Sequence, residues 1–254
     1  MKRLLLIDGD VLVYKTAFAA EKTTDWGDGF FTLHSDAESA VLSVDAQIQT
    51  FRDQLDADEV VVALTCHETV NFRKAFFPTY KENRSGTRKP LCWGAIRKHL
   101  VEKWDAKIKP TLEADDVLGI LSTMPSHGQQ RIIVSIDKDF KTIPGLFYDM
   151  GHGKSGQIQE ITEAEADYSF MKQTLMGDMV DNYKGCPGIG PKKADGILAA
   201  CLGIGSMWNA VIKTYDAAGF GVEYALTQAR CARILRYEDY DTKKKQPILW
   251  RPPQ

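Results

Sequence analysis

Three short, unbroken apolar runs set the frame of the chain. Leu4-Leu5-Leu6-Ile7, Val60-Val61-Val62-Ala63-Leu64 and Ile132-Ile133-Val134-Ser135-Ile136 each read as a strand buried on both faces. Between them the period lengthens. Ala37, Ala40, Val41, Val44, Ile48, Phe51 and Leu55 recur at helical spacing over 36–55. Ala95 to Trp104 reads as a second helix. Thr111 can cap a third, which begins around Glu113 and runs through Val117-Leu118-Gly119-Ile120-Leu121. Apolar strands alternating with helices predict an α/β fold built on a mostly parallel sheet with helices on both faces. Asp8-Gly9-Asp10 reads as the turn that closes the first strand. From about Phe170 the texture changes. Tyr168 to Met176 looks helical, a Gly/Pro-rich hairpin follows, Lys192 to Leu202 resumes a helix, and another lies near 223–236. The expected division is an α/β domain over 1–168, a helix-hairpin-helix region over 169–205, and a C-terminal helical region with a tail over 206–254.

Composition changes this picture little. Of 254 residues, 44% are hydrophobic and 26% charged, which is ordinary for a globular chain with a substantial core. The five cysteines are scattered and never form a CxxC pair, which argues against a disulfide framework or a zinc site and for reduced thiols. The apolar start is cut by Asp8, too short for a signal peptide, and no stretch reaches transmembrane length. A cytoplasmic protein without a membrane partner is expected. His34, His67, His99, His127 and His152 show no ligand spacing.

Charge distribution is more telling than the net charge of −2. Residues 73–98 carry Arg73, Lys74, Lys81, Arg84, Arg88, Lys89, Arg97 and Lys98 against Glu82 alone. Acids cluster elsewhere: Asp8 and Asp10; Glu113, Asp115 and Asp116; Asp137 and Asp139; Asp178 and Asp181. Each cluster sits where an apolar run ends or a helical pattern begins. In parallel sheets such strand ends converge on one edge. That many ionised carboxylates in one cleft would repel strongly unless divalent cations joined them. Oxygen ligands without His or Cys favour magnesium or manganese over zinc. Two such ions suit phosphodiester cleavage. A turn role explains Asp10 comfortably.

Two further segments bear on a nucleic-acid partner. Gly185-Cys186-Pro187-Gly188-Ile189-Gly190-Pro191-Lys192-Lys193-Ala194 combines glycines that let phosphate reach main-chain N–H groups, a helix start, and two cations. It reads as a sequence-independent contact to the DNA backbone through Gly188, Gly190, Lys192 and Lys193. The segment 68–92 is interrupted by Pro78, Gly86 and Pro90, so it reads as an arm rather than core. Its interleaved Arg73, Tyr80, Lys81 and Arg84 suit single-strand threading, with Tyr80 stacking on a base and the cations on phosphate.

These stretches, LLIDGDVLVY, NFRKAFFPTYKENR, EADDVLG, SIDKDFKTIP and GDMVDNYKGCPGIGPKKA, occur in one order over residues 4–194. Together they resemble the 5′-nuclease, or flap endonuclease-like, superfamily, and are most similar to the 5′→3′ exonucleases of T-odd bacteriophages. The tail ARILRYEDYD with ILWRP looks like the phage branch. The resemblance implies a PIN-like domain with a helical arch over about 68–98 and a helix-hairpin-helix DNA-binding element. It implies magnesium-dependent hydrolysis at 5′ ends and flaps of double-stranded DNA and on RNA–DNA hybrids, in phage DNA replication. By motif position, Asp8, Glu113, Asp115, Asp116 and Asp137 would serve a first metal, and Asp139, Asp178 and Asp181 a second. Lys81 and Arg84 would engage the scissile phosphate, and the hairpin would hold a potassium ion. A single-stranded DNA-binding protein or a polymerase are conceivable partners. Many relatives carry an Asp after the second strand, where this chain reads Leu64-Thr65-Cys66-His67-Glu68. Either Glu68 substitutes or the first shell has one carboxylate fewer. Two other readings compete: a haloacid dehalogenase-type phosphatase with Asp8 as nucleophile and Lys138 as its cation, and a non-catalytic DNA-end binder using only the hairpin.

Overall fold

The structure is a computed structural model that describes residues 2–126, 128–151 and 156–253. Two of the histidines set aside above, His127 and His152, lie outside the described residues.

The chain runs β1 (Lys2–Asp8), α1 (Gly9–Ala20), β2 (Lys22–Asp25), β3 (Phe31–His34), α2 (Ala37–Gln54) and β4 (Glu59–Ala63). After an irregular segment come α3 (Trp93–Trp104), α4 (Ala114–Thr123), β5 (Gln129–Ser135), β6 (Gly145–Asp149) and β7 (Ile158–Ile161). Then follow α5 (Glu163–Met176), α6 (Pro191–Leu198), α7 (Gly203–Ala217), α8 (Gly221–Ala232), and the short β8 (Tyr240–Asp241) and β9 (Gln246–Pro247). The central sheet has the order β4-β1-β5-β6-β7. Its first four strands are parallel and β7 is an antiparallel edge. The three apolar runs are its three adjacent strands β4, β1 and β5, as their buried character requires.

Alternation along these strands splits the core in two. Leu5 and Ile7 of β1 and Ile132 and Val134 of β5 point to the face covered by α1, α2 and α3. Leu4, Leu6 and Ile133 point to the face covered by α4, together with Ile234 and Leu235 from the C-terminal tail. Each such side chain, once buried, contributes about 1.5–3 kcal/mol. A third apolar cluster joins α5, α6, α7 and α8 and takes in Tyr80 and Trp250. Helices α7 and α8 and Trp250 therefore share one core with α5 and α6, while Ile234, Leu235 and Tyr240 of the tail return to the α/β layer.

Three local expectations change. Asp8-Gly9-Asp10 is no free turn: Asp8 caps α1, which starts at Gly9. A Cβ on Gly9 would lie 2.5 Å from the Ala63 carbonyl oxygen, so only glycine lets α1 start this close to β4. Thr111 does not cap α4. It sits at φ +65°, and Glu113 takes the cap position. The helical arch expected over about 68–98 is not helical up to residue 92: it holds only two 3-10 turns, Phe72–Ala75 and Glu82–Arg84, before α3 begins at Trp93.

Candidate active site

The ends of β1 and β5 lie side by side, and their acids are tied into one file of hydrogen bonds. Asp8 Oδ1 accepts from the Val11 amide at 3.1 Å, and its Oδ2 accepts from Ser135 Oγ at 2.7 Å. Ser135 Oγ in turn accepts from the Asp137 amide at 3.0 Å, and Asp137 Oδ1 accepts from the Asp139 amide at 2.8 Å. Asp139 Oδ2 accepts from Gln173 Nε2 on α5 at 2.9 Å. Glu113 and Asp115 approach from the start of α4, where carboxylates also suit the helix dipole. Asp178 and Asp181 come from the loop after α5.

That loop is pinched at its neck. Asp178 and Tyr183 exchange backbone hydrogen bonds of 2.7 and 3.0 Å. Behind them Gly177 (φ +69°) and Gly185 (φ +66°) meet back to back: a Cβ on either would lie 2.3 Å from the other's nitrogen. The arm clasps the same loop. The Lys81 amide donates to Asp181 O at 3.0 Å, Asn83 Nδ2 to Met179 O at 2.9 Å, Arg84 Nε to Val180 O at 3.2 Å, and Asn182 Nδ2 to Thr79 O at 2.7 Å. Lys81, at φ +53°, reaches Glu113 Oε1 with its ammonium and lies 3.4 Å from Asp181 Oδ2. Arg84 Nη2 donates to Asp181 Oδ1 at 2.5 Å.

Glu113, Asp115, Asp137, Asp139, Asp178 and Asp181 line one cleft of about 240 Å³ together with Lys81, Arg84, Lys138 and Gln173. Asp8 lies beneath it, 2% exposed. The electrostatics record the crowding. Burial, then the neighbouring Asp10 and Asp137, push Asp8 up to about 7 against the pull of Ser135 and Val11. Burial, then Asp8 and Asp137, push Asp115 well above the carboxylate range. Burial, then Asp137, push Asp139 up to about 6. Glu113 goes the other way: burial opposes its ionisation, but Lys81 and Arg73 outweigh it and hold it at about 2. Among the described residues, no three of these side chains converge on one point at ligating distance. Like charges stand apart, and cationic side chains already sit on Glu113 and Asp181.

Three expected site residues are corrected. Asp116 is fully buried, and both its oxygens are committed: to Arg73 in a bidentate pair at 2.8 Å each, and to the Leu235 and Glu113 amides at 3.2 Å. Each of its oxygens accepts two hydrogen bonds, against one on each oxygen of Asp8, which leaves Asp116 none free for a metal. Arg73, 2% exposed, also donates to Cys231 O and Arg233 O, so it is an internal tie and not a DNA contact. Tyr80 is equally buried, its hydroxyl 2.9 Å from Glu113 Oε2 and 3.0 Å from Asp181 Oδ2. Its ring offers no face to a base. The basic character of the arm shrinks accordingly: Arg97 is also internal, paired with Asp10 at 3.0 Å, and Arg88 is paired with Glu21. Glu68 is exposed and accepts from the Cys66 thiol at 3.3 Å; it does not line the cleft.

The hairpin glycines differ from one another. Gly188 needs its positive φ of +76°, whereas Gly190 is extended and open to any residue. Neither would meet an atom within 4 Å if it carried a Cβ, so ligand approach is unhindered at both. Lys192 and Lys193 are exposed, and Lys193 Nζ donates to Gly188 O at 2.9 Å. Sequence reasoning missed Ser135, Gln173, Asn83 and Asn182. Only Ser135 left a signal, as the one polar residue in an apolar run two positions before Asp137.

Comparison with known proteins gives this geometry a family. Residues 3–153 match the model described as "5'-3' exonuclease, N-terminal resolvase-like domain". The exodeoxyribonuclease of Enterobacteria phage T3 is 30% identical over 99% of this chain and 93% of its own length. The exonuclease of Escherichia phage T7 is likewise 30% identical, over 99% and 94%. In fold, the phage T5 D15 protein co-crystallised with metal ions superposes with a TM-score of 0.63 at 15% identity, over 90% of this chain and 88% of that one.

Proposed function

The chain belongs to the 5′-3′ exonuclease family, and on that premise we propose that it is a divalent-cation-dependent 5′ nuclease acting at 5′ ends and flaps of duplex DNA and on RNA–DNA hybrids in phage replication. One observation carries the mechanism: the acids of three separate segments share a cleft with Lys81 and Arg84, and Asp8 is tied to the same group through Ser135 and the Asp137 amide. The donor set fits hard cations. It is all oxygen; no imidazole lines the cleft among the described residues, and burial holds the Cys231 thiol neutral, its pKa pushed up to about 12. Asp8, Glu113, Asp115 and Asp137 would hold a first magnesium or manganese, and Asp139, Asp178 and Asp181 a second. When bound, the cations would supply an activated water and charge neutralisation for in-line hydrolysis.

The chain's own residues do the rest. Ser135 and the Val11 amide fix both oxygens of Asp8. Lys81 and Arg84, held at the cleft by the arm's clasp on 178–182, give up carboxylate partners to take the scissile phosphate, whose charge grows in the transition state. Within the helix-hairpin-helix region 169–205, open backbone at Gly188 and Gly190, the start of α6, and Lys192 and Lys193 receive DNA phosphate, and the same hairpin would hold a potassium ion that adds positive charge there. The phosphatase alternative fits poorly. It would leave the phosphate-binding hairpin at Gly188 and Gly190 without purpose. The binder alternative leaves the acid cleft without purpose.

The test is cleavage of 5′- and 3′-labelled duplexes and a 5′ flap, with magnesium and with excess chelator. Magnesium-dependent release from the 5′ end is expected. Activity in chelator, or release from 3′ ends alone, contradicts the reading.

A further inference from the structure

Gln173 projects from α5 into the acid cleft although nothing in its sequence context marks it. Its Nε2 donates to Asp139 Oδ2 at 2.9 Å. Its other polar atom, Oε1, is buried and has no hydrogen-bond partner. A buried carbonyl oxygen left unpaired costs roughly 1–3 kcal/mol, so the arrangement calls for an explanation. Turning the amide over would not relieve it, because Oε1 would then face a carboxylate oxygen. The nitrogen therefore belongs on Asp139, and the oxygen is the atom left over. The surroundings say what it lacks. Gln173 lines the cleft with Asp137, Asp139 and Asp178, all oxygen donors and all wanting positive charge.

We infer that Gln173 is a positioning residue for the second cation: its amide N–H pins one oxygen of Asp139, and its Oε1 adds a neutral oxygen on the cation's side of the cleft. The inference rests on the two-cation reading above and deepens it. A carboxylate free to rotate must be ordered each time a cation binds. One already held by a hydrogen bond need not be, which is why partners behind metal ligands typically matter by 10–100-fold in metal affinity or activity. A neutral oxygen also adds to the shell without adding negative charge to a cleft already lined by Asp137, Asp139 and Asp178.

Two variants of the full chain test this. Gln173→Met keeps the length and volume of the side chain and removes both polar atoms. Gln173→Glu keeps the shape and Oε1 but replaces the donor with a second acceptor facing Asp139. Melting temperature is measured against magnesium concentration with no DNA present, and cleavage of a 5′ flap against magnesium at saturating DNA. Gln173→Met should raise the half-saturating magnesium concentration about tenfold in both titrations, with the cleavage rate recovering at high magnesium. Gln173→Glu should melt lower than wild type in chelator and gain more from magnesium than wild type gains. A purely structural Gln173 predicts instead that both variants shift the melting temperature by the same amount at every magnesium concentration, with unchanged half-saturation; that result overturns the inference. If wild type itself shows neither magnesium-dependent melting nor magnesium-dependent cleavage, the two-cation reading fails first. If wild type shows both and Gln173→Met matches its half-saturation, only the role of Gln173 falls.

Discussion

Replacing Asp8 with asparagine should make the metal-free protein more stable. Asp8 is 2% exposed, and its pKa rises from 3.8 to about 7 in the folded state. The folded chain thus keeps this proton to near neutrality, while the unfolded chain releases it near 3.8. Unfolding therefore releases a proton over the intervening range, and stability falls as pH rises through it. The cost is absent below about pH 4 and complete above about pH 7. At about 1.4 kcal/mol per pKa unit it reaches roughly 4 kcal/mol. Asparagine carries no charge and remains a good cap for the Val11 amide. Its NH₂ now faces Ser135 Oγ, which must accept rather than donate, at a cost of about 1 kcal/mol. The net expectation is a gain of about 3 kcal/mol at pH 8 in chelator, shrinking to about 0.7 kcal/mol at pH 5, crossing zero at about pH 4.5 and turning slightly negative at pH 4. Magnesium should act unequally on the two proteins. Wild type gains about 2.7 kcal/mol at a cation concentration 100 times its dissociation constant, and the variant gains less, so the difference narrows or reverses. Urea unfolding at pH 4, 5 and 8, with chelator and with magnesium, measures all of this. A variant less stable than wild type at pH 8 in chelator, or a difference that does not change with pH, would refute the reasoning.

Other consequences are open to similar tests. Arg73→Met should destabilise the fold by about 3–5 kcal/mol in urea unfolding, because Asp116 is left charged and unpaired in the core; adding Asp116→Leu should restore much of the loss. Lys192→Ala with Lys193→Ala should weaken duplex binding alike for all sequences and lower the slope of log K against log salt by roughly one unit per lost contact; an unchanged slope counts against the hairpin. Lys81→Ala should slow single-turnover cleavage at saturating 5′-flap DNA on the order of 100-fold while barely changing the dissociation constant; a change in affinity alone would make Lys81 a tracking residue.

The strands and the acids at their ends were legible for one reason. An apolar run that stops at a carboxylate can hardly be anything but a buried strand whose tip meets a polar site. Burial of polar residues was not legible. Arg73, Tyr80 and Asp116 look like surface chemistry in the linear chain. What removes Arg73 and Asp116 from the surface are the carbonyls of Cys231 and Arg233 and the amide of Leu235, more than a hundred residues away, and Tyr80 is taken in by the third apolar cluster and by Glu113 and Asp181. The eight cations over 73–98 misled in the same way, since a charge run reports composition and not which charges already have partners. The strands β2, β3, β6 and β7 escaped notice because they are short or at edges, and they mix polar with apolar residues.

The back-to-back contact of Gly177 and Gly185 has an evolutionary meaning. Eight positions apart in sequence, the two behave as a single inherited character. A methyl group on either would strike the other's nitrogen at 2.3 Å, and no second change could make room, because the partner has no side chain left to shrink. Such a pair cannot drift through compensated intermediates; it is kept whole or the neck of the loop opens. Between the two glycines, Met179 and Val180 are 69% and 62% exposed and free of that bind. A saturation library across 177–185 should therefore come back with Gly177 and Gly185 fixed and with Met179 and Val180 variable, the spacing of Asp178 and Asp181 preserved by residues that touch no substrate.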